Sequence, residues 1–230
     1  MNILALDTSL GACSAALLKS DGTRSTIFAR QALMARGHAE ALMPMVAEVM
    51  AEGGVAFVEL DVIAATTGPG SFTGVRIAIA AARGLALVTS AKLFGTDSLT
   101  VMAKVASATE ARRKEPFAVA VDARRGMLYV GLYDGAARKL QGPLLLTPND
   151  AASRLPATLR CAVGSGGALL AEATAQRGQS IESRFAELQP DAAALAMIAF
   201  ESGETSPTLR PLYLRPPDAK PQSQTVGVSR

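Results

Sequence analysis

Tryptophan is absent from this 230-residue chain, histidine occurs once, cysteine twice, and aromatic residues make up 4%. Each scarcity excludes chemistry. A serine–histidine–aspartate relay needs an imidazole beside its serine. The single His38 is remote in sequence from Ser71 and Ser165, and no pattern joins them. The GxSxG and HExxH signatures are also missing. Cys13 and Cys161 stand alone in apolar runs, with no CxxC. A disulfide framework or a zinc site is therefore not expected, and both read as buried thiols. With so few rings, the core must be built from Ala, Leu, Val, Ile and Met. Charge of one sign does not dominate: 23 basic residues against 20 acidic give a net +3. The basic residues adjoin only at Arg112, Arg113 and Lys114 and at Arg124 and Arg125, with no aromatic interleaving. They read as solvated surface rather than as a nucleic-acid patch. Asp7 interrupts the first apolar run, and no run approaches the ~18 residues of a membrane span. No leader, no membrane segment and a cytoplasmic location are the expectations.

What the chain has is one organised stretch, residues 66–84, TTGPGSFTGVRIAIAAARG. An apolar strand precedes it. Val75, Ile79 and Ala82 then recur at helical spacing. Gly68, Pro69 and Gly70 between them predict a tight turn with positive φ at Gly70. Ser71 or Thr73 is placed to cap the helix. Crowded small residues and free amides at a helix start suit a phosphate, although no Walker sequence G-x-x-x-x-G-K-[ST] occurs.

The rest falls into two passes of the same order. Residues 2–6, 12–18 and 23–30 predict three strands of a meander, with Asp7, Thr8 and Ser9 closing the first. Residues 38–51 predict a helix whose Leu42, Met45, Val46 and Val49 share one face. Met43 and Met50 widen that stripe. Such an arc suits either the chain's own core or a partner helix. Pro44 must lie in the first turn or kink the helix. A strand at 92–95 leads to a helix from Asp97, with Thr96 as its cap. The charged run 110–115 and Pro116 then mark a boundary. A second strand ends in Asp122, followed four residues later by Gly126, as Asp7 is followed by Gly11. Strands at 127–133, 139–146 and 161–163 come next. The glycine turn 164–167, a helix at 168–176 and a last helix at 191–203 complete the pass. The expectation is two related α/β halves with a cleft between them. One lobe is assigned to 1–110, a smaller one to 111–215, and a mobile tail to 216–230. The helix at 191–203 is free to pack back on the first lobe.

Several of these pieces together resemble one family. TGPGSFTGVR, the opening ILALDTS, His38 leading its helix, GTDSL at 95–99 and VDARRGMLYVGLYD at 121–134 are similar to the TsaB (YeaZ) family, within the group once labelled M22 glycoproteases. They cover residues 1 to about 135. The resemblance implies an actin-like fold of two lobes, each a mixed sheet with flanking helices. It implies a non-catalytic partner of TsaD in forming threonylcarbamoyladenosine beside the anticodon of tRNA. In that system TsaC makes threonylcarbamoyl-adenylate, TsaD transfers the group, and TsaE is an ATPase that TsaB helps to assemble. The expected partners are TsaD and TsaE, with a homodimer when the chain is alone and tRNA reached through the complex. No cofactor of its own is expected, with ATP or ADP bound only in the complex. Asp7, Thr8, Ser9, Gly68, Pro69, Gly70 and Ser71 become a vestigial or shared phosphate site. His38, Leu42, Met43, Val46 and Met50 become the partner face. In the related TsaD family an H-x-x-x-H pair holds a metal; here the second position is Leu42, and no metal site is expected. The alternatives are a stand-alone ATPase or kinase working through Asp7 and Asp122, or a metallopeptidase.

Overall fold

The computed structural model describes residues 1–109 and 115–215. The charged run at 110–114 and the tail 216–230 lie outside the described residues. Along the chain come β1 (Asn2–Asp7), β2 (Ala12–Ser20), β3 (Ser25–Leu33), α1 (His38–Gly53), β4 (Val62–Thr66), α2 (Phe72–Thr89), β5 (Lys92–Thr96) and α3 (Ser98–Thr109). The second pass holds β6 (Phe117–Asp122), β7 (Leu128–Tyr133), β8 (Lys139–Leu146), α4 (Pro148–Arg154), β9 (Cys161–Val163), α5 (Gly167–Ala175), β10 (Glu182–Arg184) and α6 (Ala192–Ser202).

Two five-stranded sheets result, in the orders β3-β2-β1-β4-β5 and β10-β9-β6-β7-β8. Reversed, the second repeats the first. In both, an antiparallel meander is extended by two parallel strands that follow helices. These are the two α/β lobes that the sequence order predicts, in the actin-like arrangement of mixed sheets with flanking helices that the resemblance implied. The sequence signal missed two short elements, β10 and the 3-10 turn Phe57–Glu59. β10 is exposed and polar, so it carries no apolar pattern.

Strand alternation sets the layers. Leu4 and Leu6 of β1 face Leu42, Val46, Val49 and Met50 of α1 and Val75, Ala78, Ile79 and Ala82 of α2. Ile3 and Ala5 face the other way, onto Ala192, Leu195, Ala196 and Ala199 of α6. Successive strand residues point to opposite faces, so a central strand covered on both sides reads as a continuous apolar run. In the second lobe, Ala118 and Ala120 face α4 and α5. Phe117, Val119 and Val121 face Leu99, Met102, Ala103 and Ala106 of α3. The lobes therefore exchange helices: α3 follows the first sheet but packs on the second, and α6 follows the second but packs on the first.

Two local readings, Thr96 as a cap and positive φ at Gly70, are corrected. Asp97, not Thr96, caps α3: its carboxylate accepts from the Thr100 amide at 2.9 Å and the Thr100 hydroxyl at 2.7 Å. Pro44 lies inside α1, beyond the first turn. Gly70 is absent from the positive-φ positions; Gly68 takes that role with φ 97°. Helix α2 has the length and mean hydropathy of a membrane span, although the sequence reading expected none. It contains Arg76 and Arg83 and packs Gly74, Val75, Ala78, Ile79 and Ala82 into the fold.

Candidate functional site: a closed glycine turn at the end of the first strand

The first strand ends in a carboxylate removed from water. Asp7, Thr8 and Ser9 are all fully buried. Asp7 Oδ1 accepts from the Ser9 hydroxyl at 2.7 Å, from the Ser9 amide at 3.3 Å and from the Thr66 hydroxyl. The Ser98 hydroxyl donates to Ser9 Oγ at 2.9 Å, extending the chain of bonds to α3. Among the described residues Asp7 Oδ2 has no hydrogen-bond partner. Burial pushes the Asp7 carboxyl up to about 6, against the opposing pull of the bonds from Thr66 and Ser9. The same burial, with the nearby Asp7 charge, pushes the Cys13 thiol up to about 11.

The glycine turn is sealed onto this strand end by its own backbone. The Ser71 amide, which would face an anion, donates instead to the Ser9 carbonyl at 2.8 Å. Ser71 Oγ caps α2 by accepting from Gly74 N at 3.3 Å. Thr8 Oγ1 donates to the Gly74 carbonyl at 2.6 Å and accepts from Ala78 N at 3.1 Å. A Cβ on Gly70 would fall 2.2 Å from the Ser9 carbonyl oxygen, and one on Gly74 2.1 Å from that of Thr8. Glycine is required at 70 by this close approach, not by left-handed φ. On the outer side, Ser98 N donates to Gly68 O at 2.8 Å and Leu212 N to Thr67 O at 2.7 Å. The Gly68–Pro69 bond is cis.

The second lobe repeats the plan more openly. Asp122 ends β6 and is half-buried. Its amide donates to Ser165 Oγ in the second glycine turn at 3.1 Å, and Gly166 N donates to Ala120 O at 2.9 Å. Between the lobes, Lys139 of β8 forms an ion pair with Asp97, which is 5% exposed.

The expected partner face fares differently residue by residue. Leu42, Val46 and Met50 are buried in the chain's own core. Of the two uses left open for that arc, these three residues serve the chain's own core, because a 16-residue helix on a sheet uses that face for its own packing. Met43 is 43% exposed. His38 does not cap α1, whose N-cap is Gly37. Its Nε2–H donates to the Leu10 carbonyl at 3.1 Å, tying the helix start to the β1–β2 turn. Among the described residues no group of three His, Cys, Asp or Glu side chains is placed to hold a metal. Sequence reasoning missed Thr66 and Ser98. Thr66 was accessible in principle, because β4 runs parallel to β1 with Leu6 beside Ala65, which brings the next pair, Asp7 and Thr66, together.

Comparison with known proteins then places the chain. A structure described as YeaZ from Pseudomonas aeruginosa superposes with TM-score 0.76 at 32% identity, over 93% of this chain and 99% of that one. A second P. aeruginosa structure, an uncharacterized protein with similarity to peptidase YEAZ, gives 0.78 at 33% over the same shares. The chain belongs to the TsaB/YeaZ family. The family model for TsaD, tRNA N6-adenosine threonylcarbamoyltransferase, matches residues 25–203 and fits the same actin-like group. The tRNA threonylcarbamoyladenosine biosynthesis protein TsaB of Escherichia coli is 38% identical over 133 residues, 58% of this chain and 55% of that protein. The Haemophilus influenzae TsaB is 38% identical over 129 residues, 56% of this chain and 52% of that protein. The alignments thus span about half the length of these two TsaB proteins.

Proposed function

We propose that this chain is the non-catalytic TsaB-type subunit of a cytoplasmic assembly that forms threonylcarbamoyladenosine beside the anticodon of tRNA. Its task is to hold TsaD, the transferase, and to help seat TsaE. The observation that carries this reading is the closed turn. The amide that would grip a phosphate is spent on Ser9, and Asp7 is sealed from solvent. A cleft closed by its own backbone supports a scaffold rather than a stand-alone ATPase. ATP or ADP then belongs to the assembled complex, not to this chain alone.

The surface for TsaD is the outer side of α2. Ala80, Gly84, Leu87 and Val88 are exposed there, with Leu87 at 85% and Val88 at 75%. Small residues let a second helix approach closely, and the exposed Leu and Val give it apolar area to bury. Met43 lies on α1, which packs on the same face of the sheet as α2. The same face accounts for a homodimer when TsaD is absent.

The test is reconstitution. Purified chain, TsaD and TsaE are incubated with threonylcarbamoyl-adenylate and unmodified tRNA, and nucleosides are read by mass spectrometry. Modification that requires this chain is the expected result. Modification at full rate without it overturns the reading. Micromolar Mg-ATP binding with turnover by the isolated chain would favour the ATPase alternative.

A further inference from the structure

The returning chain links Arg76 at the start of α2 to Arg124 in the β6–β7 turn through Tyr213 and Arg215. After α6 the chain returns across the first lobe. Ser206 N donates to Leu93 O at 2.7 Å, Leu209 is buried in the core beneath α1 and α2, and Leu212 is bonded to Thr67. Tyr213 then stacks on Phe72 with ring centroids 5.4 Å apart. Arg76 Nε donates to the Tyr213 hydroxyl at 2.7 Å, and its guanidinium lies 3.7 Å over the Phe72 ring. Phe72 remains 53% exposed and Tyr213 46%. Two residues on, Arg215 Nη2 donates to the carbonyls of Ala123 at 3.1 Å and Arg124 at 3.3 Å.

That last contact reaches the β6–β7 turn, which is strained. Arg124 and Arg125 have φ of 64° and 54°, followed by Gly126 at 69°. A left-handed conformation is unfavourable for a side-chain-bearing residue, and such strain concentrates at functional positions. Here it is held by Asp122 Oδ1, which accepts from Arg124 N at 2.8 Å, and by Arg215. The Arg124 side chain is 85% exposed; its contact with Asp122 is 3.5 Å, the weak geometry of a surface pair. Arg124 and Arg125 are both exposed at this turn.

The exposed Phe72–Tyr213 stack, together with Arg76, Arg124 and Arg215, matches one ligand chemistry: unstacked bases settling on ring and guanidinium planes while the arginines take phosphates. We propose that the Phe72–Arg76–Tyr213 stack, with Arg215 and Arg124, is a direct contact surface for an RNA loop. The inference rests on the tRNA reading above and adds that this subunit itself touches the RNA. The aromatic–basic interleaving that the sequence lacks is assembled in space, between positions 137 residues apart.

The test is fluorescence anisotropy of a labelled tRNA anticodon stem-loop with the full chain, over a series of salt concentrations. We expect salt-dependent binding by wild type, at least about tenfold weaker binding by Arg76→Ala/Arg124→Ala, and a shallower salt slope by about one to two. Tyr213→Ala should weaken the loop but not a fully paired RNA duplex of equal charge. Arg124→Gln, at an exposed side chain, and thermal melting of every variant control for folding. No binding by wild type at low salt overturns the proposal, as does unchanged binding by the double variant or by Tyr213→Ala. If these variants bind normally while tRNA modification in the reconstituted assay still requires the chain, only this inference fails. Loss of that requirement removes the functional reading beneath it.

Discussion

Lys139 reaches from β8 of the second sheet to Asp97, the residue that caps α3 at the end of the first. Asp97 is 5% exposed, while the Lys139 side chain is 39% exposed. The pair thus joins a buried carboxylate to a partly wet cation at the junction of the lobes. Removing the cation strands the acid, which still has Thr100 and the Tyr133 hydroxyl near it. Lys139→Ala should cost about 1–3 kcal/mol. Asp97→Asn/Lys139→Ala should cost less than the sum of the single changes. Urea denaturation of the four proteins of that cycle measures both.

Asp7 predicts an inverted pH dependence. Its carboxyl is raised from an ordinary 3.8 to about 6 by burial. Between those values the folded chain holds a proton that the unfolded chain has lost. Its contribution to stability is therefore full below about pH 4 and is lost as pH rises through about 6. The loss is of order 3 kcal/mol at 1.36 kcal/mol per pKa unit. Asp7→Asn should remove that decline, leaving the variant relatively more stable at pH 7 to 8 than at pH 4. Denaturation of both proteins across this range checks the sign.

Two glycines on α2 should respond oppositely to alanine. Gly74→Ala drives a Cβ into the Thr8 carbonyl at 2.1 Å, backbone that cannot swing aside. A loss above about 2 kcal/mol or failure to fold is expected. Gly84→Ala meets nothing within 4 Å and should gain about 0.5–1 kcal/mol from helix propensity. Thermal melting separates them. Gly84→Leu, folded, should still weaken TsaD binding by crowding the proposed docking face.

Met43 and Met50 should part company. Met50 is 3% exposed and packed in the first core, so Met50→Glu buries an unpaired charge at several kcal/mol and should unfold the first lobe. Met43→Glu should leave circular dichroism unchanged. With Leu87→Glu it should lower TsaD affinity at least about tenfold, equivalent to about 1.4 kcal/mol. Normal affinity in a folded Leu87→Glu variant would place the interface elsewhere.

The sequence alone determined the elements and their duplicated order. Short apolar runs such as 3–6 and 117–121, bounded by polar turn residues, read as strands covered on both faces. Ser71, one of two cap candidates placed before an apolar helical run, caps α2 through its side chain. These are properties of a few neighbouring residues, so a local pattern suffices to read them. Tertiary structure decided everything that depends on which surfaces meet. Nothing near Leu99 or Leu195 tells which sheet each will cover, because an apolar stripe is complementary to any apolar face; packing sent α3 and α6 to opposite lobes. Gly70 looked like a residue chosen for φ, and proved to be chosen for space against the Ser9 carbonyl. Met50 looked like surplus apolar surface, and the sheet beneath α1 proved wide enough to cover it. The meeting of Phe72, Arg76 and Tyr213 carries no local signature at all. It exists because the returning chain bonds to Thr67 and buries Leu209, which fixes where the next residue must lie.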